Sequence, residues 1–344
     1  MHEFKHEVSM TAPCLASSAY HPFESPEEFI LRCTDEIWAA RGIGRIRQYY
    51  APTLSVHTPY GSKRVAVESV MEMTLRRISS YPQLGASGIG EDVICETRSA
   101  NSFISSHRIY NSTAQLGFSV YGPPNGKTWS ARAMAHCLVE DGRIVEEWLL
   151  RDEGGVVEDL GLNPDTVAES LVADSEAAVF TQPVPTPLHA GVSGTRPDTD
   201  PASEMVLALF EDVWNGRNFD LVSRYVSSQV CCETVKGRRA HRYDGYQIEI
   251  INLLAAFPDA TLKVIDIAVN TSPTAGTRVA AVWVLTGTYS GNPVYGPVTN
   301  SPVRIMGISH FEVVNGRVHR EWRGYDEIAV RAQIIQARRA AAVD

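Results

Sequence analysis

Residues 139–152 read VEDGRIVEEWLLRD, and residues 313–326 read VVNGRVHREWRGYD. In each, an Asp-Gly or Asn-Gly pair separates two runs of alternating polar and apolar residues. The pattern predicts a β-hairpin, because a two-residue turn needs positive φ at both central positions and Asn, Asp and Gly tolerate it at least cost. The second arm then gathers ionisable side chains around one tryptophan: Glu146, Glu147, Trp148, Arg151 and Asp152 first, then Glu321, Trp322, Arg323 and Asp326. A single such cluster reads as a solvated strand edge. Two at the same spacing read as a duplication.

The spacing bears on the whole chain. Gly142 and Gly316, Trp148 and Trp322, Asp152 and Asp326, and His136 and His310 are each 174 positions apart. Earlier in the chain Trp38 and Trp214, Arg41 and Arg217, Tyr49 and Tyr225, Gly61 and Gly237, and Pro82 and Pro258 are each 176 apart. A net difference of two residues, placed between Gln115 and Ala131, reconciles the two offsets. A period this long far exceeds the roughly 20–50 residues of solenoid repeats, so an entire domain is duplicated.

At 344 residues the chain can hold two domains, each burying its own core. Hydrophobic content of 44% with 21% charged residues is that of a soluble globular protein. The net charge of −9, with no basic run, argues against a nucleic-acid surface. No stretch approaches the roughly 18 apolar residues of a membrane span, and residues 1–23 lack the apolar core of a signal peptide. The six cysteines show no CxxC spacing and do not correspond between halves. They read as reduced thiols, which places the protein in the cytoplasm. No H-x-x-x-H or H-E-x-x-H pair and no phosphate-binding glycine loop is present, so neither a metal site nor a phosphate-cradling loop is expected.

Within each half the hydrophobic period changes from helical to alternating. SPEEFILRCTDEIWAARG predicts a helix capped by Ser25 and stopped at Gly42; SEMVLALFEDVWNGRN predicts its twin, capped by Ser203 and stopped at Gly216. A shorter helix, a short strand and a third helix ending at Tyr81–Pro82 or Phe257–Pro258 follow. A strand meander and a terminal helix complete each half. Helices and strands are thus segregated, which predicts an α+β fold of two tandem domains, each with three helices against one face of a curved antiparallel sheet. The expected boundaries are a flexible leader over 1–24, a first domain over 25–163, an extended Pro- and Gly-rich linker over 164–202, a second domain over 203–336 and a tail over 337–344.

The order of elements, W-N-G-R after the first helix of the second half, Phe257–Pro258–Asp259, the turn Thr286–Gly287–Thr288–Tyr289–Ser290–Gly291, and the hairpin with Trp322 resemble the SnoaL-like polyketide cyclases and ester cyclases. These belong to the nuclear transport factor 2-like superfamily. The first half keeps Trp38, Tyr81–Pro82 and the hairpin. The resemblance implies that the chain forms two tandem cone-shaped domains, each a curved sheet wrapped around its helices with a pocket inside, and that the chemistry is cofactor-free. In those cyclases an aspartate takes a carbon-bound proton beside a carbonyl, and the enolate closes a ring. It also implies pairing through the outer sheet face, which a tandem chain makes internal as a pseudo-dimer; further homo-oligomerisation stays open.

The chain departs from that pattern where the chemistry lies. The family's aspartate directly follows the tryptophan, and here that position holds Leu149 or Arg323. A family histidine seven residues before the hairpin glycine is replaced by His136 and His310 at six, and one residue of shift turns a strand side chain to the other face. The remaining candidates in the first half are Glu147, Asp152, His57, His107 and His136. In the second they are Asp326, Glu321, His310 and Arg323. Asp152 and Asp326 read either as N-caps of the terminal helix or as displaced bases. Glu147 shares the strand face of Leu149, and Glu321 that of Arg323, where an ion pair is the alternative. His136 and His310 read as packing residues or as acid–base partners. His107 is expected at the place of Trp283. Tyr60, Trp148, Leu149, Trp283 and Trp322 are expected as pocket walls.

Three functional classes follow from these residues. The leading one is a cyclase, isomerase or dehydratase (a lyase) acting on a small apolar carbonyl compound. The others are an epoxide-hydrolase-like enzyme using Arg323, Glu321 and Asp326, and a non-catalytic binding or assembly protein.

Overall fold

The computed structural model describes residues 14–85, 92–174, 200–272 and 276–342. In the first half, α1 (Pro26–Thr34) and α2 (Ile46–Tyr49) precede β1 (Tyr50–Thr58) and β2 (Gly61–Ala66). Helix α3 (Val67–Ser80) leads to β3 (Asp92–Ser99), β4 (Ser102–Ala114), β5 (Thr128–Glu140) and β6 (Arg143–Arg151), closed by α4 (Glu153–Asp159). After α5 (Pro164–Asp174) come α6 (Pro201–Leu209), α7 (Val222–Tyr225), β7 (Val226–Glu233), β8 (Arg239–His241) and α8 (Arg242–Ala256). The second half ends with β9 (Thr261–Ser272), β10 (Gly276–Thr288), β11 (Pro302–Val314), β12 (Arg317–Tyr325) and α9 (Glu327–Ala341). The strands form two six-stranded sheets of the same order, β2-β1-β6-β5-β4-β3 and β8-β7-β12-β11-β10-β9. The fold is α+β, as predicted. Each sheet is mixed rather than purely antiparallel, because β1 runs parallel to β6 and β7 to β12.

The duplicated residues explain why both halves fold alike. Asp141 and Gly142, like Asn315 and Gly316, all adopt positive φ, so both hairpins make the tight turn their sequence asks for. Arg41 also has positive φ, and its guanidinium donates to the carbonyls of Trp38 at 2.6 Å and Pro82. Arg217 repeats this with Trp214 and Pro258, the latter at 3.3 Å. The matched Trp, Arg and Pro are thus one clasp joining the first helix to the end of the third.

Several boundaries differ from expectation. Ser25 caps α1, accepting from Glu28 N at 3.1 Å, but Asp200 rather than Ser203 caps α6. Proline at the first helical position, preceded by a capping aspartate, starts α6 three residues early. Of the leader, residues 1–13 lie outside the described residues. Leu15, Tyr20 and Phe23 pack against the first core, with Ala19 fully buried, so this stretch is part of the domain. The linker is described only at its ends: residues 164–174 are helical, and Val167 and Ala168 pack on Ile328, Ala332 and Ile335 of α9. The tail from 337 continues α9 to Ala341. Among the described residues no helix is long and apolar enough to cross a membrane.

The convex faces of the two sheets pack on one another. Met134, Trp148 and Leu150 meet Val282, Val284, Met306 and Ile308. Gly324 makes this approach feasible, since a Cβ there would sit 2.6 Å from Leu150 Cδ2. Around the apolar patch run polar contacts: Ser106 Oγ to His310 Nε2 at 2.8 Å, His136 Nε2 to Asp266 Oδ2 at 2.9 Å, and Arg132 to Glu233 at 3.1 Å. The Arg108 guanidinium lies 3.5 Å over the Trp322 ring. Burial, then the charge of Arg108, hold His310 well below the usual histidine range, so it is neutral at pH 7.

The strand registers correct one correspondence. His107 pairs with Val93 and Ala135, whereas Trp283 pairs with Val264 and Gly307. Since Ala135 corresponds to Ser309 and Gly307 to Ala133, the residue at the place of Trp283 is Ile109, and His107 matches Ala281. The two-residue difference between the halves therefore falls between Pro82 and Asp92, not between Gln115 and Ala131.

Candidate active site

Strand alternation turns Glu147, Leu149 and Arg151 of β6 toward the concave side of the first sheet. There they face His107 and Ile109 of β4, Ala131, Ala133 and Ala135 of β5, and side chains of α1 and α3 across a cavity of ≈ 180 Å³. The small residues on β5 leave the space, and Met73, which is 48% exposed, marks where it meets solvent. For scale, an apolar cavity of about 150 Å³ stays dry and takes up benzene. This one holds a compound of about one substituted ring.

Most of the lining is apolar, and its ionisable side chains are Tyr50, Arg77, His107, Arg132, Glu147 and Arg151, with the thiols of Cys33 and Cys137. Glu147 is 7% exposed and accepts one long hydrogen bond, from the Tyr50 hydroxyl at 3.4 Å. Burial raises its carboxyl pKa, a shift that Arg151 and Tyr50 oppose but do not cancel. Burial, then repulsion from Arg77, lower Arg151 to about 10, which leaves it cationic at neutral pH. Among the described residues Arg151 makes no hydrogen bond or close ion pair. Arg77, by contrast, is committed to Glu153 at 2.9 Å, and Glu153 also accepts from Tyr121. Burial lowers His107 to about 4, so it is a neutral imidazole; it lines the cavity, and among the described residues its buried Nδ1 has no hydrogen-bond partner. The arrangement combines a carboxyl that titrates above its ordinary range, a neutral imidazole and an uncommitted cation in an apolar chamber.

The second cone is filled at the matching positions. Phe210 stands where the first half has Thr34, Tyr246 replaces Val70, Ile305 replaces Ala131, Phe311 replaces Cys137 and Trp283 replaces Ile109, all buried. The Trp283 ring lies across Gly307, where a Cβ would come within 2.1 Å of it. Glu321 is enclosed by donors: Arg323 at 2.8 and 2.7 Å, Tyr246 at 2.6 Å and Ser309 at 3.0 Å. The guanidinium of Arg323 in turn lies 4.7 Å over Trp214. Glu321 and Arg323 form the ion pair that was one of the sequence alternatives, and no open space separates them.

Of the predicted site residues, the structure brings Glu147, His107 and Leu149 together at the open cavity, packs Glu321, Arg323 and Trp283 together in the second core, and disperses the rest. His57 does not line the cavity. It sits between Ser62 and Glu146, each at 2.8 Å, and stacks on Trp148 at 4.6 Å, on the opposite face of the sheet. Trp148 and Trp322 are packed between the sheets rather than forming pocket walls, and His136 and His310 are held there too. A bulge between Leu138 and Val139 does not return His136 to the concave side, which Ala135 occupies. Asp152 caps α4, accepting from Gly155 N at 3.0 Å and from Lys236 N of the other half. Asp326 caps α9 through Ile328 N at 2.9 Å and accepts from Tyr60, so Tyr60 is a contact between halves rather than a wall. With Asp326 at a helix start and Glu321 saturated by donors, the hydrolase constellation of Arg323, Glu321 and Asp326 is not assembled. Arg151 and Tyr50 are the additions. Arg151 follows Glu147 by two alternations along β6, and that spacing alone would have placed it on the same face.

A family model described as SnoaL-like polyketide cyclase matches residues 204–334, the half with the filled cone. Among solved structures, a proposed polyketide cyclase from Acidithiobacillus ferrooxidans is 21% identical over 40% of this chain and 97% of its own, with a TM-score of 0.35. A proposed SnoaL-like polyketide cyclase from Jannaschia sp. CCS1 is 21% identical over 40% and 96%, with a TM-score of 0.36. A proposed hydroxylase from Streptomyces galilaeus is 19% identical over 40% and 83%, with a TM-score of 0.33. No curated protein matches the chain.

Proposed function

We propose that the first cone is the reaction site of a cofactor-free acid–base enzyme of the cyclase, isomerase or dehydratase kind, acting on a small apolar carbonyl compound. One observation carries the reading: Glu147, its carboxyl pKa raised by burial, faces an open apolar cavity, whereas its counterpart Glu321 is enclosed. Deprotonated Glu147 takes a proton from carbon beside the carbonyl, and the electron pair moves onto the carbonyl oxygen. Few hydrogen bonds stabilise the Glu147 anion, so it is a stronger base than a solvated carboxylate. His107, neutral in its buried site, donates from Nε2 to the developing enolate oxygen as a preorganised dipole. Strands β4 and β6 flank β5, so the two groups stand on the order of 10 Å apart across the sheet and the substrate lies between them. The second half acts as scaffold, the two sheets pairing as an intramolecular pseudo-dimer.

The test is exchange of carbon-bound hydrogen with solvent deuterium, followed by NMR on small cyclic ketones and 1,3-diketones. The wild-type protein should accelerate exchange, with a rate that rises with pH through a pKa above the ordinary carboxyl range, since the base form is the active one. Glu147→Gln should return it to background. Acceleration that survives Glu147→Gln would refute the assignment. Leu149, at the position of the family's aspartate, favours a second reading in which the cone binds its ligand without turnover; saturable binding with no exchange would select it.

A further inference from the structure

Arg151 is a charged group of the first cone with no evident work in the fold among the described residues. It is half-buried, lines the cavity, and makes no hydrogen bond or close ion pair among the described residues. Four titratable groups act on it. Arg77 repels it, and Glu153 is already engaged by Arg77 and Tyr121. Glu147 lies within electrostatic range but not within ion-pair distance, and burial disfavours its charged form. The second half holds Tyr325 at the matching position, and the nearby Arg238 is paired with Glu327. The guanidinium is therefore not required to build this strand end. A cation left without a partner at the wall of an apolar chamber is stabilised when an anion enters, and the planar guanidinium fork fits a carboxylate through two parallel hydrogen bonds.

We propose that the compound bound in the first cone, apolar over the rest of its body, carries one carboxylate held by Arg151, on a frame of about one substituted ring packed against Ile37, Leu149 and Trp129. The proposal rests on the reading of this cone as the ligand site and names the class of that ligand. A monoanion fits better than a dianion, because Arg77 and Arg132 are paired with Glu153 and Glu233, among the described residues Arg151 is the one uncommitted positive charge at the cavity, and Glu147 stands two alternations along the same strand. Anchored at Arg151, the ligand directs its far end toward Glu147 and His107, which orients the carbon to be deprotonated.

Trp38 and Trp129 line the cavity, so intrinsic fluorescence of the full-length protein reports its filling. The probes are benzoate and its neutral isostere benzamide. Benzoate should bind at least about ten-fold more tightly, as expected for a charge-assisted hydrogen-bonded pair. The preference should vanish in Arg151→Gln and persist in Arg151→Lys. Equal affinities in the wild-type protein, no saturable benzoate binding, or a preference surviving in Arg151→Gln would each overturn the proposal. The wild-type comparison decides alone if Arg151→Gln does not fold. Benzoate preference without deuterium exchange upholds this inference and removes the catalytic reading; exchange without benzoate preference does the reverse.

Discussion

Glu147 and Glu321 stand at matching positions of β6 and β12, on sheets of the same strand order. Glu321 accepts from Arg323, Tyr246 and Ser309 inside a core of large aromatics, while Glu147 has one long contact to Tyr50 and an open chamber before it. The difference comes from volume and pairing on surrounding strands and helices. Threonine, valine, alanine and cysteine in one half become phenylalanine, tyrosine, isoleucine and phenylalanine in the other, and Leu149 becomes the partner cation Arg323. One backbone thus supports a cone filled for stability and a cone kept open. Residues 204–334, the stretch that matches the family model, form the filled one.

The comparison is open to experiment, starting with the largest effect. Glu147→Gln should lower the exchange rate by about 10²–10⁴, the usual contribution of a positioned base, and leave the melting temperature unchanged or higher. Glu321→Ala should do the opposite. It strands Arg323 without its carboxylate and should cost about 3–5 kcal/mol of stability in a denaturant titration, with exchange at the first cone preserved per folded molecule. Equal effects of the two substitutions on stability would erase the distinction between the cones.

A third prediction concerns pH. Burial raises Asp152 from 3.8 to about 6, against the hydrogen bonds from Lys236 N and Gly155 N. The folded state therefore holds its proton longer than the unfolded chain. This group's contribution to stability is full below about pH 4 and is lost as pH rises through about 6, amounting to about 3 kcal/mol. Denaturant titrations from pH 4 to 7 should show that slope, and Asp152→Asn should flatten it. A smaller effect on stability comes from copying the second half into the first. Val70→Tyr places a hydroxyl near Glu147 as Tyr246 is placed near Glu321, and should change stability by only about 1 kcal/mol while abolishing saturable benzoate binding. Binding that survives would mean the ligand does not occupy this space.

Much of the fold was legible because its punctuation is local. The two hairpin turns, the matched Trp, Arg and Pro of the clasp, and Ser25 each act within one turn or one loop. The site was legible only in part. Alternation groups Glu147 with Leu149 and extends to Arg151, an arginine whose type alone does not mark it as an acid or a base. His57, His136 and His310 were ambiguous because alternation separates the two faces of a strand but does not say which face meets the other half. Those three answer to the convex side, where sheet packs on sheet. His107 was matched to the wrong residue because no duplicated landmark lies between Pro82 and His136, so the offset could slip by two without breaking the face pattern.

The most direct test of an open first cone and a filled second is diffraction from crystals exposed to benzene vapour. Density is expected for one ring in the first half, bounded by Glu147, Leu149 and His107, and none between Trp283, Tyr246 and Glu321. Density in the second cone, or an undisturbed and empty first cone at saturating vapour, would contradict it.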